Sequence, residues 1–299
     1  MSSRPSTPVI LALGAVMCLI WGSTWMVISG GLDHLPPFTS AAIRFWIAGG
    51  LMAAVVAWFG GSEKGNSPST ALWMASGALN MALSYCIVYW CETKLPSGLS
   101  AVLWASAPMM TAIATRLFLK GAPLSTRQWL GFSIGFAGIV ALFWTDVRAV
   151  GPEAWKAGLL FLVSPLAATA GATLIKKYGQ DVRSMELNRN SMLFGAFIIS
   201  IVAGITERNA TFHWTPIAVA SILYLAAIGT TLGFGIYFWL LRTVEAHKLS
   251  LVSYITPVIA LALGVTLRHE PVYWTTAFGS GLVVLGVALV ASQRSPQKT

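Results

Sequence analysis

The chain has 299 residues, of which 56% are hydrophobic and only 10% charged, with a formal net charge of +9. A soluble domain carries roughly 25% charged residues, so this composition excludes a surface solvated by water alone. The positive charge does not make a nucleic-acid face either, because the basic residues stand singly in short loops between apolar runs of about 20 residues, the length that crosses about 30 Å of hydrocarbon as a helix.

In chain order, apolar runs bounded by Pro, Gly and charge predict membrane spans at 9–30, 38–59, 70–91, 97–119 and 127–145. A second set follows at 154–176, 184–205, 216–241, 248–267 and 273–292. The first run is too long for the core of a signal peptide and no small-residue cleavage site follows it, so it reads as a membrane helix. With the N-terminus in the cytoplasm, that side receives Arg4, Lys64, Arg116, Lys120, Arg127, Lys176, Lys177, Arg183, Arg242, Lys248, Arg294 and Lys298. The opposite side receives only Lys94, Arg148, Lys156, Arg208 and Arg268. This excess predicts that both termini are cytoplasmic. Cys18, Cys86 and Cys91 lie in or beside apolar runs without metal-ligand spacing and read as small packing residues, so no metal or cofactor is expected.

The two sets of spans repeat one pattern. Tyr89-Trp90 corresponds to Phe238-Trp239 and Pro108 to Pro257 at one common offset, Gly131 and Gly138 correspond to Gly279 and Gly286 at nearly the same offset, and Arg44 corresponds to Arg189. The expected fold is therefore an all-α polytopic membrane protein of ten transmembrane helices, with five in residues 1–149 and five in residues 150–299. An odd number of spans per unit makes the second half enter from the opposite face, and an inverted repeat of this kind is a transporter signature.

Ile20-Trp21-Gly22-Ser23-Thr24 in the first span, Ala42-Ile43-Arg44-Phe45 in the second, the block from Ser250 to Pro257, and the acidic turn Arg268-His269-Glu270-Pro271 occur in an order that resembles the EamA-type branch of the drug/metabolite transporter superfamily. The resemblance covers nearly the whole chain and is nearest to the bacterial aromatic amino acid exporters. It implies a secondary transporter of amino acids or related metabolites. The chain departs from the family pattern at Lys120-Gly121-Ala122, where the first half commonly carries a glutamate.

Several residues are candidates for substrate contact. Pro108 and Pro257, near the midpoints of spans four and nine, each remove a backbone donor and displace the carbonyls of Trp104 and Ser253, so they are expected to form hinges beside a cavity. Trp21, Tyr85, Tyr89, Trp104, Tyr237 and Tyr254 would line it, with Tyr224 and Phe234, because a tyrosine facing lipid at mid-depth leaves its hydroxyl unpaired. Asn80 and Ser253 could hydrogen-bond a polar substrate group. Equally, Asn80, Ser84, Ser106, Thr111, Ser253 and Thr256 could bridge helices. Trp73, Trp144, Trp155, Trp214 and Trp274, near span ends, read as interfacial anchors. Arg44 and Arg189 lie inside spans and are expected to share a structural task. Gly131 with Gly135, and Ser200 with Gly204, fit close helix packing.

No Asp or Glu stands in the middle third of a span, so no carboxylate proton relay is visible, and no phosphate-binding loop offers ATP as a power source. The histidines fall in loops or at span ends, which disfavours an intramembrane enzyme. The sequence thus points to a non-enzymatic exporter in a bacterial inner membrane, moving aromatic and other apolar amino acids by alternating access, with efflux of hydrophobic drugs or another small metabolite as the alternative. The partners expected are the small-molecule substrate and the bilayer, with monomer and dimer both open.

Overall fold

The computed structural model describes residues 7–60, 63–119, 125–142, 151–243 and 252–291. Among them every element is helical, and the one extended pairing is an isolated bridge between Asn66 and Val182. Helices α1 (Thr7–Leu32), α2 (Pro37–Phe59), α3 (Thr70–Glu92), α4 (Ser97–Phe118) and α5 (Thr126–Leu142) come first. They are followed by α6 (Pro152–Tyr178), α7 (Ser184–Thr206), α8 (Pro216–Leu223, Tyr224–Leu232 and Gly233–Thr243), α9 (Val252–Arg268) and α10 (Trp274–Ala291). Seven of these, α1 to α4 and α6 to α8, are long and apolar enough to cross a membrane, whereas α9 and α10 contribute shorter apolar helices.

The helix starts follow local chemistry. Pro37, Pro152 and Pro216 occupy first-turn positions, where a missing N–H costs nothing. Ser69 and Thr215 accept hydrogen bonds from Leu72 N and Ala218 N and so cap α3 and α8. Large apolar side chains such as Trp58, Leu117, Phe136 and Trp274 stay exposed, as a lipid-facing surface requires. Trp155, Trp214 and Trp274 are exposed near helix ends, but Trp73 is half-buried and packs edge-on against Phe194, 5.6 Å between ring centroids. Trp144 lies outside the described residues.

Helices at corresponding positions of the two sets pack together. The most extensive contacts join α2 to α7 and α5 to α10, α1 crosses α9 while α6 crosses α4, and α3 lies on α7 where α8 lies on α2. Glycines permit the tightest approach: a Cβ at Gly286 would fall 2.5 Å from both Gly131 O and Gly135 N, and one at Gly138 would fall 2.7 Å from Gly279 O. The close packing expected at Ser200 and Gly204 is not found at Gly204, where a Cβ would meet open space, while Ser200 accepts a hydrogen bond from Trp46 Nε1 of α2.

Carboxylates tie loops to helix starts, Glu207 and Glu63 in matching ways. Glu207, after α7, accepts from Phe38 N and Thr39 N at the start of α2, both at 2.7 Å, and from Thr39 Oγ1 at 2.6 Å. Glu63, after α2, accepts from Ser184 N and Met185 N at the start of α7, both at 3.0 Å. Each supplies negative charge where free backbone N–H groups and the helix dipole favour it. Backbone bonds reinforce the same loop pairs: Asn66 N to Asp181 O at 2.7 Å, and His213 N to His34 O at 3.0 Å.

Several helices are irregular part-way along their length. In α3 the stretch Gly77–Leu83, and in α8 the stretch Tyr224–Leu232, are wound as π-helix. Thr230 and Thr231 donate to the carbonyls five residues earlier, Leu225 O and Ala226 O. Helix α4 breaks at Ala105-Ser106, and Pro108 opens its second stretch rather than bending a continuous rod. Pro257 sits inside an unbroken α9. The matched kinks expected from the two prolines are thus unequal, because a proline in a first helical turn displaces no carbonyl. Lys120 to Ala122 lie outside the described residues.

Candidate functional site

Arg44 is the centre of a buried polar cluster. It is 2% exposed on α2, and its Nε donates to Thr230 Oγ1 in the π-helical part of α8 at 3.1 Å. Its Nη1 donates to the hydroxyl of Tyr89 on α3 at 3.2 Å. The guanidinium lies 4.9 Å from the ring centroid of Tyr85 and 5.4 Å from that of Phe45, and those two rings meet edge-on at 4.7 Å. Cation–π attraction strengthens when water is excluded, reaching about 2 kcal/mol, so two rings and two hydroxyls replace much of the lost hydration. Tyr85 remains half-buried while Tyr89 is fully buried.

A second aromatic group forms where α1 meets α8. Trp21 packs 5.8 Å from Phe234 and 5.5 Å from Tyr237. Gly233 makes the seat possible, since a Cβ there would fall 2.6 Å from Trp21 Nε1. Two residues on from Trp21, Ser23 shares a hydroxyl–hydroxyl bond of 2.7 Å with Tyr224. A third group lies at the break in α4, where Trp25 stands 5.7 Å from Trp104 and 6.1 Å from Phe161. Phe161 is fully buried and Trp104 half-buried.

The predicted site residues therefore divide. Trp21 joins Tyr237, Tyr85 joins Tyr89, and Trp104 joins a tryptophan that the sequence did not single out. Asn80 donates to Ser76 and lies against Gly171, between α3 and α6. In that interface Ser84 and Ser164 also bond at 3.0 Å, so this pair bridges the two helices, whereas the Asn80 bond stays within α3. The side chains of Ser253 and Tyr254 lie outside the described residues. Arg189, half-buried, donates to its neighbour Asn190 and stands 3.8 Å from Glu186, so it does not repeat the setting of Arg44.

Trp25, Phe45, Phe161, Thr230 and Glu92 do not stand out as site residues from sequence. Trp25 is nonetheless readable, because it follows Trp21 by four residues and shares its helix face. Glu92 is hidden by its place at the end of an apolar run, where a carboxylate reads as interfacial. It is 4% exposed, and neither Oε1 nor Oε2 has a hydrogen-bond partner. It lines a cavity of about 310 Å³ together with Ser29, Asp33, Lys94, Arg268 and Glu270.

The sequence profile of the EamA-like transporter family matches residues 8–144 and again residues 155–292. The chain belongs to the EamA-like transporter family. Among relatives of this EamA-like protein, the uncharacterized transporter YvbV of Bacillus subtilis is 26% identical, with 100% of this chain and 96% of that protein covered. The uncharacterized inner membrane transporter YedA of Escherichia coli K12 is 29% identical over 97% of this chain and 92% of that protein. A probable amino-acid metabolite efflux pump of Salmonella typhimurium is 25% identical over 92% of each. A solved crystal structure covering 98% of this chain and 100% of its own shares the fold, with a TM-score of 0.68 at 17% identity. Family and helices together make the chain a multi-pass membrane transporter of small molecules. Its EamA-like relatives are named as transporters, in keeping with a non-enzymatic role.

Proposed function

We propose that this protein is a secondary transporter that exports amino acids, aromatic and other apolar ones above all, across a bacterial inner membrane by alternating access. The observation that carries the reading is the convergence of aromatic side chains from both sets of helices, Trp21 with Phe234 and Tyr237, and Tyr85 and Tyr89 around Arg44, with Trp104 at a helix break. Ring faces attract the rings of apolar solutes and the ammonium of an amino acid. Asn80, Ser253 and Tyr254 complete the proposed substrate contacts, and Pro108 and Pro257 the hinges. The names of YedA and of the Salmonella efflux pump support the membrane and the substrate class.

The architecture proposed is ten spans in two inverted halves, 1–149 and 150–299, with both termini cytoplasmic. It is supported by the reciprocal packing of α2 on α7 and α5 on α10, by π-helical stretches in both α3 and α8, by the exchanged caps of Glu63 and Glu207, and by the double match of the family profile. Two nearly equivalent halves can exchange conformations, which opens a shared site first to one side and then to the other.

The test is uptake of labelled phenylalanine, tryptophan, threonine and alanine into proteoliposomes, comparing wild type with Trp104→Ala and Tyr85→Ala. Saturable uptake of the aromatic substrates, reduced up to about 10-fold in the variants while alanine uptake falls less, is the expected result, since a lost ring contact is worth about 0.5–1.5 kcal/mol. Equal losses for all four substrates would assign both rings to packing. No uptake of any of them by folded protein would favour a drug or another metabolite as cargo.

A further inference from the structure

We propose that Glu92 is a proton-binding site that links closure of the transporter's mouth between α1, α3 and α9 to the pH on that side. The inference rests on the transport reading for its purpose, but not for its chemistry. In the cavity beside it, the other carboxylates are already committed. Asp33 holds Arg268 through two bonds, 2.9 and 3.3 Å, and Glu270 accepts from Ser97 N at 2.9 Å and Gly98 N at 3.1 Å. Glu92 alone among these three has both oxygens unpaired, and both are closed to solvent. A buried carboxylate without hydrogen bonds is expensive to keep ionised, and the remedy open to it is a cation.

The geometry selects the cation. A metal ion of the hard kind needs several oxygen ligands, and the cavity offers Arg268 and Lys94 beside the one uncommitted carboxylate. Both oxygens of Glu92 are closed to solvent, so a substrate ammonium in the cavity does not reach them. A proton needs neither room nor further ligands.

The charged and titratable groups around Glu92 come from every neighbouring element. Arg44 of α2, Arg268 at the end of α9 and Glu270 just beyond it act on it electrostatically, and Glu92 in turn acts on Tyr89 and Cys91 of its own helix. Asp33 follows α1, and Lys94, 3.7 Å from Glu153 of α6, completes the ring. Two contacts hold the mouth together: Arg268 with Asp33 joins α9 to α1, and Glu270 joins the chain after α9 to the start of α4. Tyr89, one turn before Glu92, receives the hydrogen bond from Arg44, so the same carboxylate borders the aromatic site.

The closed mouth therefore favours the neutral acid, and opening it wets Glu92 and allows the proton to leave. A proton that prefers one state shifts the equilibrium toward that state. Acid on the mouth side should hold the mouth closed. A glutamine at this position should mimic the bound proton permanently.

Two substrate-free measurements on the full-length protein in proteoliposomes test this. Infrared difference spectra between acid and neutral pH should contain a carboxylic C=O band that disappears in Glu92→Gln and shifts in Glu92→Asp. Labelling of a Ser29→Cys variant by a membrane-impermeant thiol reagent should accelerate several-fold more with rising pH in the wild-type background than in the Glu92→Gln background, with thiol ionisation common to both. A band insensitive to both substitutions, or equal pH dependence of labelling, would overturn the proposal. So would a sodium-induced change at fixed pH that needs Glu92. Because neither readout involves cargo, failure of amino acid uptake would leave the role of Glu92 standing, and failure here would leave the cargo reading standing.

Discussion

Arg44 shows how much a single intramembrane charge requires of its surroundings. Its planar group reaches Thr230 and Tyr89 at once while two rings cover its faces. A lysine keeps the charge but not the fork, so Arg44→Lys should lose about 1–3 kcal/mol. Arg189→Lys, at a half-buried site with neighbouring partners on its own helix, should change stability by less than about 0.5 kcal/mol. Thermal unfolding of both variants in detergent checks this, and equal shifts would count against the special standing of Arg44. Arg44 and its tyrosines were legible in the sequence, since a charge and paired hydroxyls inside apolar runs stand out. Glu92 was not, because a residue at the end of a run gives no sign of whether neighbouring helices will cover it.

At the level of the helix, the same residue type serves opposite ends. On α10, Gly286 faces the backbone of α5 at Gly131 and Gly135, whereas Gly281 has nothing near its absent Cβ. Gly286→Ala should destabilise by about 1–3 kcal/mol through overpacking. Gly281→Ala should be neutral or stabilising by up to about 1 kcal/mol through helix propensity. Comparing the melting temperatures of the two variants decides the point, and a harmless Gly286→Ala would mean that α5 and α10 do not approach as described. The positions of the seven helices long and apolar enough to cross a membrane were legible because hydrocarbon thickness sets the length of run to look for. The π-helical stretches in α3 and α8 were not, since they depend on extra residues being absorbed against α7, α1 and α2 rather than on any local signal.

Across the molecule, each half secures a helix of the other. Glu63 caps α7, Glu207 caps α2, and backbone bonds between loops accompany each cap. The proposed topology places the loop of Asp33 and that of Lys64 on opposite faces of the membrane. Cysteines introduced at these two positions, one at a time, should be labelled by an impermeant thiol reagent only from outside for Asp33→Cys and only from the cytoplasm for Lys64→Cys. Labelling of both from one side would defeat the inverted arrangement.

Local composition and residue order along one chain were enough to establish the membrane class, the positions of the apolar helices and the family resemblance. Tertiary packing was needed to show that Trp25 and Phe161 join Trp104, that the two prolines act differently, that Gly204 packs against nothing while Gly286 packs against backbone, and that Glu92 is sealed beside an ion-paired mouth. The physical reason is that burial and partnership depend on which helices approach from elsewhere in the chain. A residue's own neighbours in sequence carry no record of that approach.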